Sequence, residues 1–236
     1  MEFVRKASWA TAPLGVLAFW GGVLVAALRY PSEYDWRYMP LSNLFSASRN
    51  PAGYLWASMG IVLCSLCELC WVAIFAQSWP HANASGRPSG LRAIQLGSFC
   101  MACSAALPRS LLPLRKGHEL LTLLAFTGLC LGLARLMFQT IERIFLRRQR
   151  DFMGNSRRYA SVLAGSAVLP ILLAGLAQAY VFYALPALHW VNLSWRAHGV
   201  PVYLSFAFWE WITVAVLSAY TMILAMAAGL LPRRYG

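Results

Sequence analysis

Three cysteines at three-residue spacing, Cys64, Cys67 and Cys70, surround Glu68 in the stretch CSLCELC, and a second pair, Cys100 and Cys103, follows in FCMACS. On a helix, positions 64, 67 and 70 step by about −60° each and form a drifting stripe, with Glu68 about 40° from Cys64. Four thiols on two neighbouring helices, Cys64, Cys67, Cys100 and Cys103, could hold zinc or exchange a disulfide, so a membrane thiol–disulfide oxidoreductase is one expectation. The surroundings favour packing instead. Redox pairs normally open a helix, where the dipole and solvent activate the thiol, whereas these lie among Leu, Ile and Met, where cysteine is an ordinary small buried residue.

Charges inside apolar blocks are the second source of chemistry, because insertion of one at a helix centre costs at least about 2.5–3.5 kcal/mol. Glu210, in FAFWEWITV, lies nine residues past Pro201, about 14 Å into its helix and near the midplane. Glu68 and Arg135 fall at about 21 and 24 Å from the outer ends of their helices. Opposite charges at matched depth predict an intramembrane ion pair between these two. Glu210, between two tryptophans, has no comparable partner and reads as a structural acid, a ligand contact or a proton-linked site, the last suggesting a proton-coupled transporter. His118-Glu119 opens a further helix close to Arg109, and with Ser42 and Glu210 these residues form a candidate outward-facing ligand pocket, ringed by Asp35 and His198. Glu119 also has a simpler account, as an acid at the positive end of a helix dipole. All four histidines lie in loops or at helix ends, so no pair of embedded imidazoles can clamp a haem. No hydrolase motif accompanies the serines and histidines. Neither a cofactor nor an enzymatic activity is assigned.

These residues need elements to hold them, and composition says which. Of 236 residues, 59% are hydrophobic and 12% charged, about half the charge of a typical soluble domain. Six apolar blocks, at Ala7–Leu28, Gly53–Ser78, Leu91–Leu107, Leu120–Ile141, Tyr159–Ala187 and Pro201–Leu231, mostly reach the roughly 20 residues that a crossing helix needs. The third is short and is stopped by Pro108. The blocks lack the alternation of barrel strands. The expected fold is an all-α polytopic bundle of six transmembrane helices in a single domain. The first block follows Arg5 and Lys6 like a signal peptide, but its apolar run exceeds a signal core and reads as a retained anchor.

Six crossings put both termini on one face. That face carries twelve Lys and Arg, including Arg143, Arg147, Arg148, Arg150, Arg157 and Arg158 between the fourth and fifth helices, against seven on the other. The positive-inside rule then places both termini in the cytoplasm, with the protein in the cell inner membrane. The net charge of +12 sits mainly in these loops, where it orients the chain and meets anionic lipid headgroups rather than nucleic acid.

A serine motif in PLSNLFS (Ser42), the turn Asn50-Pro51, Pro108, His118 at a helix start and Glu210 in the last helix together resemble a bacterial six-helix membrane family of unknown function, distantly similar to the Frag/DRAM/Sfk proteins. The resemblance implies a six-helix bundle whose outer loops converge on one polar pocket, and roles in lipid remodelling or trafficking. The function read here is the binding or handling of a lipid or small amphiphile through that pocket. A structural subunit of a larger membrane complex, its ten tryptophans serving as interface for protein partners, is the alternative beside the oxidoreductase.

Overall fold

The computed structural model describes residues 2–78, 89–106, 117–148, 153–184 and 194–228. Among them, the regular elements are helices and there is no strand: α1 Glu2–Leu28, α2 Tyr54–Ser78, α3 Ser89–Ala106, α4 Gly117–Arg148, α5 Met153–Ala184, a short α6 Ser194–Ala197 and α7 Phe206–Ala228, with 3-10 turns at Leu41–Asn43 and Val202–Leu204. Contacts run α1 to α2, α2 to α3, α3 to α4, α4 to α5, α5 to α7 and back to α1, so the long helices close a ring.

Five helices are long and apolar enough to cross a membrane, over Ala10–Leu28, Tyr54–Ala76, Leu120–Ile141, Gly165–Ala184 and Phe206–Ala227. The protein is therefore a multi-pass, membrane-type helical bundle. The exception among the long helices is α3, which has 18 residues and carries Arg92 and Gln95 near its start. The outward faces of the apolar helices are leucine-rich: on α1, Leu17 and Leu28 are 69% and 77% exposed, surface that only hydrocarbon can cover without cost. Pro13 and Pro170 are accommodated inside α1 and α5, as packed transmembrane helices allow.

Of the apolar clusters among the described residues, two are formed largely by the long helices of the ring. Trp71 and Phe75 of α2 share a cluster with Ile94 of α3, Leu133 and Met137 of α4 and Leu224 of α7. Phe19 of α1, Ile61 of α2 and Val214 of α7 hold the other, into which the α1–α2 loop inserts Leu41 and Leu44. Helix pairs approach at glycines. A Cβ on Gly22 of α1 would lie 2.5 Å from the Trp56 carbonyl oxygen and 2.9 Å from Gly60 Cα of α2. Gly97 of α3 and Gly128 of α4 meet in the same way. Without a hydrophobic force between helices in lipid, such close backbone contact is a main source of association.

Two expectations change here. The sixth apolar block does not run as helix from Pro201. Pro201 caps a 3-10 turn at Val202–Leu204, Ser205 is extended, and α7 starts at Phe206. Glu210 therefore sits about 6 Å into α7, in its second turn and not at the midplane. The basic cluster is also divided between two helices. Positions 143–148 continue α4 and 153–158 open α5, with Arg158 exposed. Arg150 and the side chains of Arg143, Arg147, Arg148 and Arg157 are outside the described residues.

Candidate functional site

The loop at residues 29–53 is tied down by its own polar groups. Tyr34 donates its hydroxyl to the carbonyls of Met39 and Pro40 at 2.9 and 3.0 Å. Burial, then the nearby Glu210 carboxylate, raises the Tyr34 phenol above its ordinary range and keeps it a donor. Asn50, fully buried, donates from Nδ2 to the carbonyls of Ala26 and Leu44. Arg49 donates to the Asn43 side chain. The turn at Leu41–Asn43 is capped from outside the loop: Glu210 Oε2 accepts the Leu41 N–H at 2.7 Å. A carboxylate is the natural partner for the exposed N–H groups at the start of such a turn.

A second clamp holds this loop to the segment before α7. Asp35, 7% exposed, receives Arg37 at 2.8 Å and Arg196 at 3.0 Å, while Tyr38 donates to the Val200 carbonyl at 2.8 Å. The Arg37 hydrogen bond, opposed by burial but aided by both guanidinium charges, holds the Asp35 carboxyl below its usual range. A carboxyl depressed in the fold stabilises the protein above its unfolded value near about 3.9 and loses that contribution as pH falls through the folded one. Asp35→Asn is thus expected to lower the thermal midpoint in detergent by a few degrees at neutral pH. Its deficit should shrink below pH about 4. A pH-independent deficit would show that the clamp is not ionic.

Beneath the loop lies a cavity of about 700 Å³, within the range of small-molecule pockets. Helical spacing builds its walls. Tyr54, Ser58, Ile61, Ser65 and Glu68 line it from α2 at alternating steps of four and three, one face of a helix. On α7 the same face holds Glu210, Val214, Leu217 and Thr221, and on α4 it holds His118, Thr122, Phe126 and Leu129. Phe19 of α1 contributes to the wall, and Leu41, Ser42 and Phe45 of the loop border the same space. The lining is mostly apolar, with small hydroxyls and two carboxylates set into it.

Of the five expected pocket residues, Ser42, His118 and Glu210 line this one cavity. Arg109 and the side chain of Glu119 lie outside the described residues. Asp35 and His198 do not line it. Glu68 does. Its carboxylate accepts Ser98 Oγ–H at 2.8 Å and Thr221 Oγ1–H at 3.4 Å. Arg135 is exposed on α4. Here α3 and α7 supply neutral donors to a half-buried carboxylate set in an apolar wall. The polar stripe of Ser58, Ser65 and Glu68 on α2 was legible as a helical face and is the sequence signal that would have placed Glu68 in the pocket.

The thiols diverge as well. Cys64 faces the cavity, Cys67 packs where a Cβ on Gly15 of α1 would come within 2.9 Å of it, Cys70 is exposed and Cys100 is buried. Cys64, Cys67, Cys100 and Cys103 are all free. No group of three or more His, Cys, Asp and Glu able to hold a metal converges among the described residues, so the four-thiol zinc site is not assembled.

Ser104 and His118 sit together on the cavity wall, and their hydrogen bonds define what they can do. His118 Nδ1 is 3.1 Å from both the hydroxyl and the carbonyl oxygen of Ser104. A carbonyl only accepts, so this network assigns the proton to Nδ1. Thr122 donates to the His118 carbonyl at 2.9 Å, which turns the Ser104 proton toward Thr122 Oγ1 at 2.9 Å. The ring nitrogen nearest the serine is therefore a donor and not a base. The arrangement links α3 to α4 rather than activating a nucleophile.

The chain matches no protein-family model, no curated protein and no solved structure.

Proposed function

We propose that this protein crosses the membrane six times and binds a lipid or small amphiphile in the cavity beneath the α1–α2 loop. The observation that carries the reading is the cavity itself: about 700 Å³, walled by apolar side chains of several helices, with hydroxyls, the Cys64 thiol, His118 and two carboxylates as the polar side chains described on its wall. Such a lining suits a ligand that is mainly hydrocarbon with one polar end. The resemblance to the six-helix family distantly similar to Frag/DRAM/Sfk proteins belongs to the same proposal. Three of its matching positions, Ser42, His118 and Glu210, are on the cavity wall.

The sixth crossing is assigned to α3. Its 18 residues span about 27 Å, close to the roughly 30 Å of hydrocarbon. It also runs antiparallel to α4, with Gly90 against Gly132 and Gly97 against Gly128, and with Ser104 beside Thr122. These contacts lie along the apolar span Leu120–Ile141 of α4. With six crossings, the excess of Lys and Arg on the terminal face puts both termini in the cytoplasm and the cavity's loop side outward.

The test is a titration of the purified protein with a fatty alcohol carrying a pyrene reporter. Saturable binding of one probe per chain is expected, weakened about tenfold or more by Ser58→Trp, which fills the cavity from α2. Binding that does not saturate, or that ignores this substitution, would exclude the cavity as the site.

A further inference from the structure

We infer that the amphiphile is a cation, an alkyl chain ending in a protonated amine that is seated against Glu210. This rests on the amphiphile reading above and adds the charge of the head.

The chain carries 20 Lys and Arg against 8 Asp and Glu, yet among the described residues that line the cavity there is no Lys or Arg and there are two glutamates. Charge at the cavity thus runs opposite to that of the whole protein. His118 also lines the cavity, and its Nδ1 is turned onto Ser104. A fatty acid or phosphate head would face carboxylates with no described cation beside it. An ammonium would meet a complementary group.

The two carboxylates are not equivalent. Thr221, whose hydroxyl reaches Glu68, lies eleven residues beyond Glu210 on α7, which separates the acids by about 16 Å along the helix. Glu68 is deep and accepts a hydroxyl at each oxygen, from α3 and from α7. Glu210 is shallow, in the second turn of α7, and accepts one backbone N–H at Oε2. An ionised carboxylate offers about four acceptor positions, so Glu210 keeps the greater capacity for a further donor. Between the two acids the wall carries Val214, Leu217, Ile61 and Phe126, with the small hydroxyls of Ser58, Ser65, Thr122 and Ser218 set among them, and so it suits a hydrocarbon chain. A head at Glu210 and a tail directed inward also match the orientation in which an amphiphile enters from a membrane surface.

Dodecylamine, dodecanol and dodecanoate share one tail and differ in head charge at neutral pH. Competed against the pyrene alcohol, dodecylamine is expected to displace it at about tenfold lower concentration than dodecanol, with dodecanoate weakest, since a hydrogen bond to a charged partner is worth that much. E210Q is expected to bring the ratio of amine to alcohol near one. Gln keeps an oxygen for the Leu41 N–H, and the thermal midpoint checks that the loop has stayed closed. Equal displacement by amine and alcohol in the unmodified protein, or a preference that survives E210Q, overturns the inference. Those results leave the amphiphile reading standing, whereas failure of the pyrene alcohol to bind saturably removes both.

Discussion

Gly128→Leu is expected to leave little folded protein, and Gly165→Leu is expected to be tolerated. Both glycines lie within helices that carry apolar spans, and they differ in what a side chain would meet. A Cβ at Gly128 would come within 2.8 Å of the Ala93 carbonyl oxygen and 3.0 Å of Gly97 Cα and N. Those are backbone atoms, which cannot rotate away as a side chain can. Overpacking costs about 1–3 kcal/mol where neighbours can adjust and more where they cannot. Here α3 would have to separate from α4, and the loss extends to Gly90, Gly132 and the Ser104–His118 link. Among the described residues nothing lies within 4 Å of a Cβ added at Gly165, and replacing glycine in a helix gains up to about 1 kcal/mol in propensity. Yield and thermal midpoint after size-exclusion chromatography distinguish the two. Equal midpoints would mean that the α3–α4 contact does not hold the bundle together. Because α4 carries His118, Thr122 and Phe126 to the cavity, the same substitution should also remove ligand binding.

Asn50→Ala is expected to destabilise the protein by about 2–4 kcal/mol, combining the loss of two buried hydrogen bonds with the void left by the side chain. Asn50 Nδ2 donates to the carbonyls at the end of α1, Ala26, and in the loop, Leu44. With the side chain gone, both carbonyls lose that donor in a site without water access. The side chain also packs on Gly53, where a Cβ would come within 2.5 Å of it, so α2 can start only where this contact allows. Asn50→Asp should be at least as harmful, since it replaces the donor with a buried acceptor. Hydrogen exchange at the amides of Leu41–Asn43 reads the local effect: faster exchange is expected in either variant, because Asn50 anchors the loop whose turn Glu210 caps. Unchanged exchange with lowered stability would confine Asn50 to the α1 contact.

Much of the fold could be read along the chain. Apolar length defines four helices to within a few residues at most of their ends: α1 stops at Leu28 as expected, and α2, α4 and α7 contain the predicted blocks or lie within them. Charge deficit and leucine content identify the solvent as lipid, because both depend on composition alone. The i, i+4, i+7 pattern of Tyr54, Ser58 and Ile61 likewise marks one face of α2 before any partner is known.

Depth was legible only as far as helix starts were. Counting from Pro201 put Glu210 at the midplane, and a single 3-10 turn moved it to the second turn of α7. Partnership was not legible. Glu68 finds Ser98 and Thr221, residues 30 and 153 positions away. Glu210, whose sequence neighbours are tryptophans, is engaged by the backbone of a loop 169 positions earlier. Composition, helix length and the polarity of each helical face follow from local chemistry, so the sequence by itself determined a helical membrane protein with two embedded acids. Which faces meet depends on the rotation of each helix about its axis. That rotation is decided by the non-local approach of glycine backbones and by the fit of the α1–α2 loop, and only the tertiary structure brings both acids to the wall of one cavity.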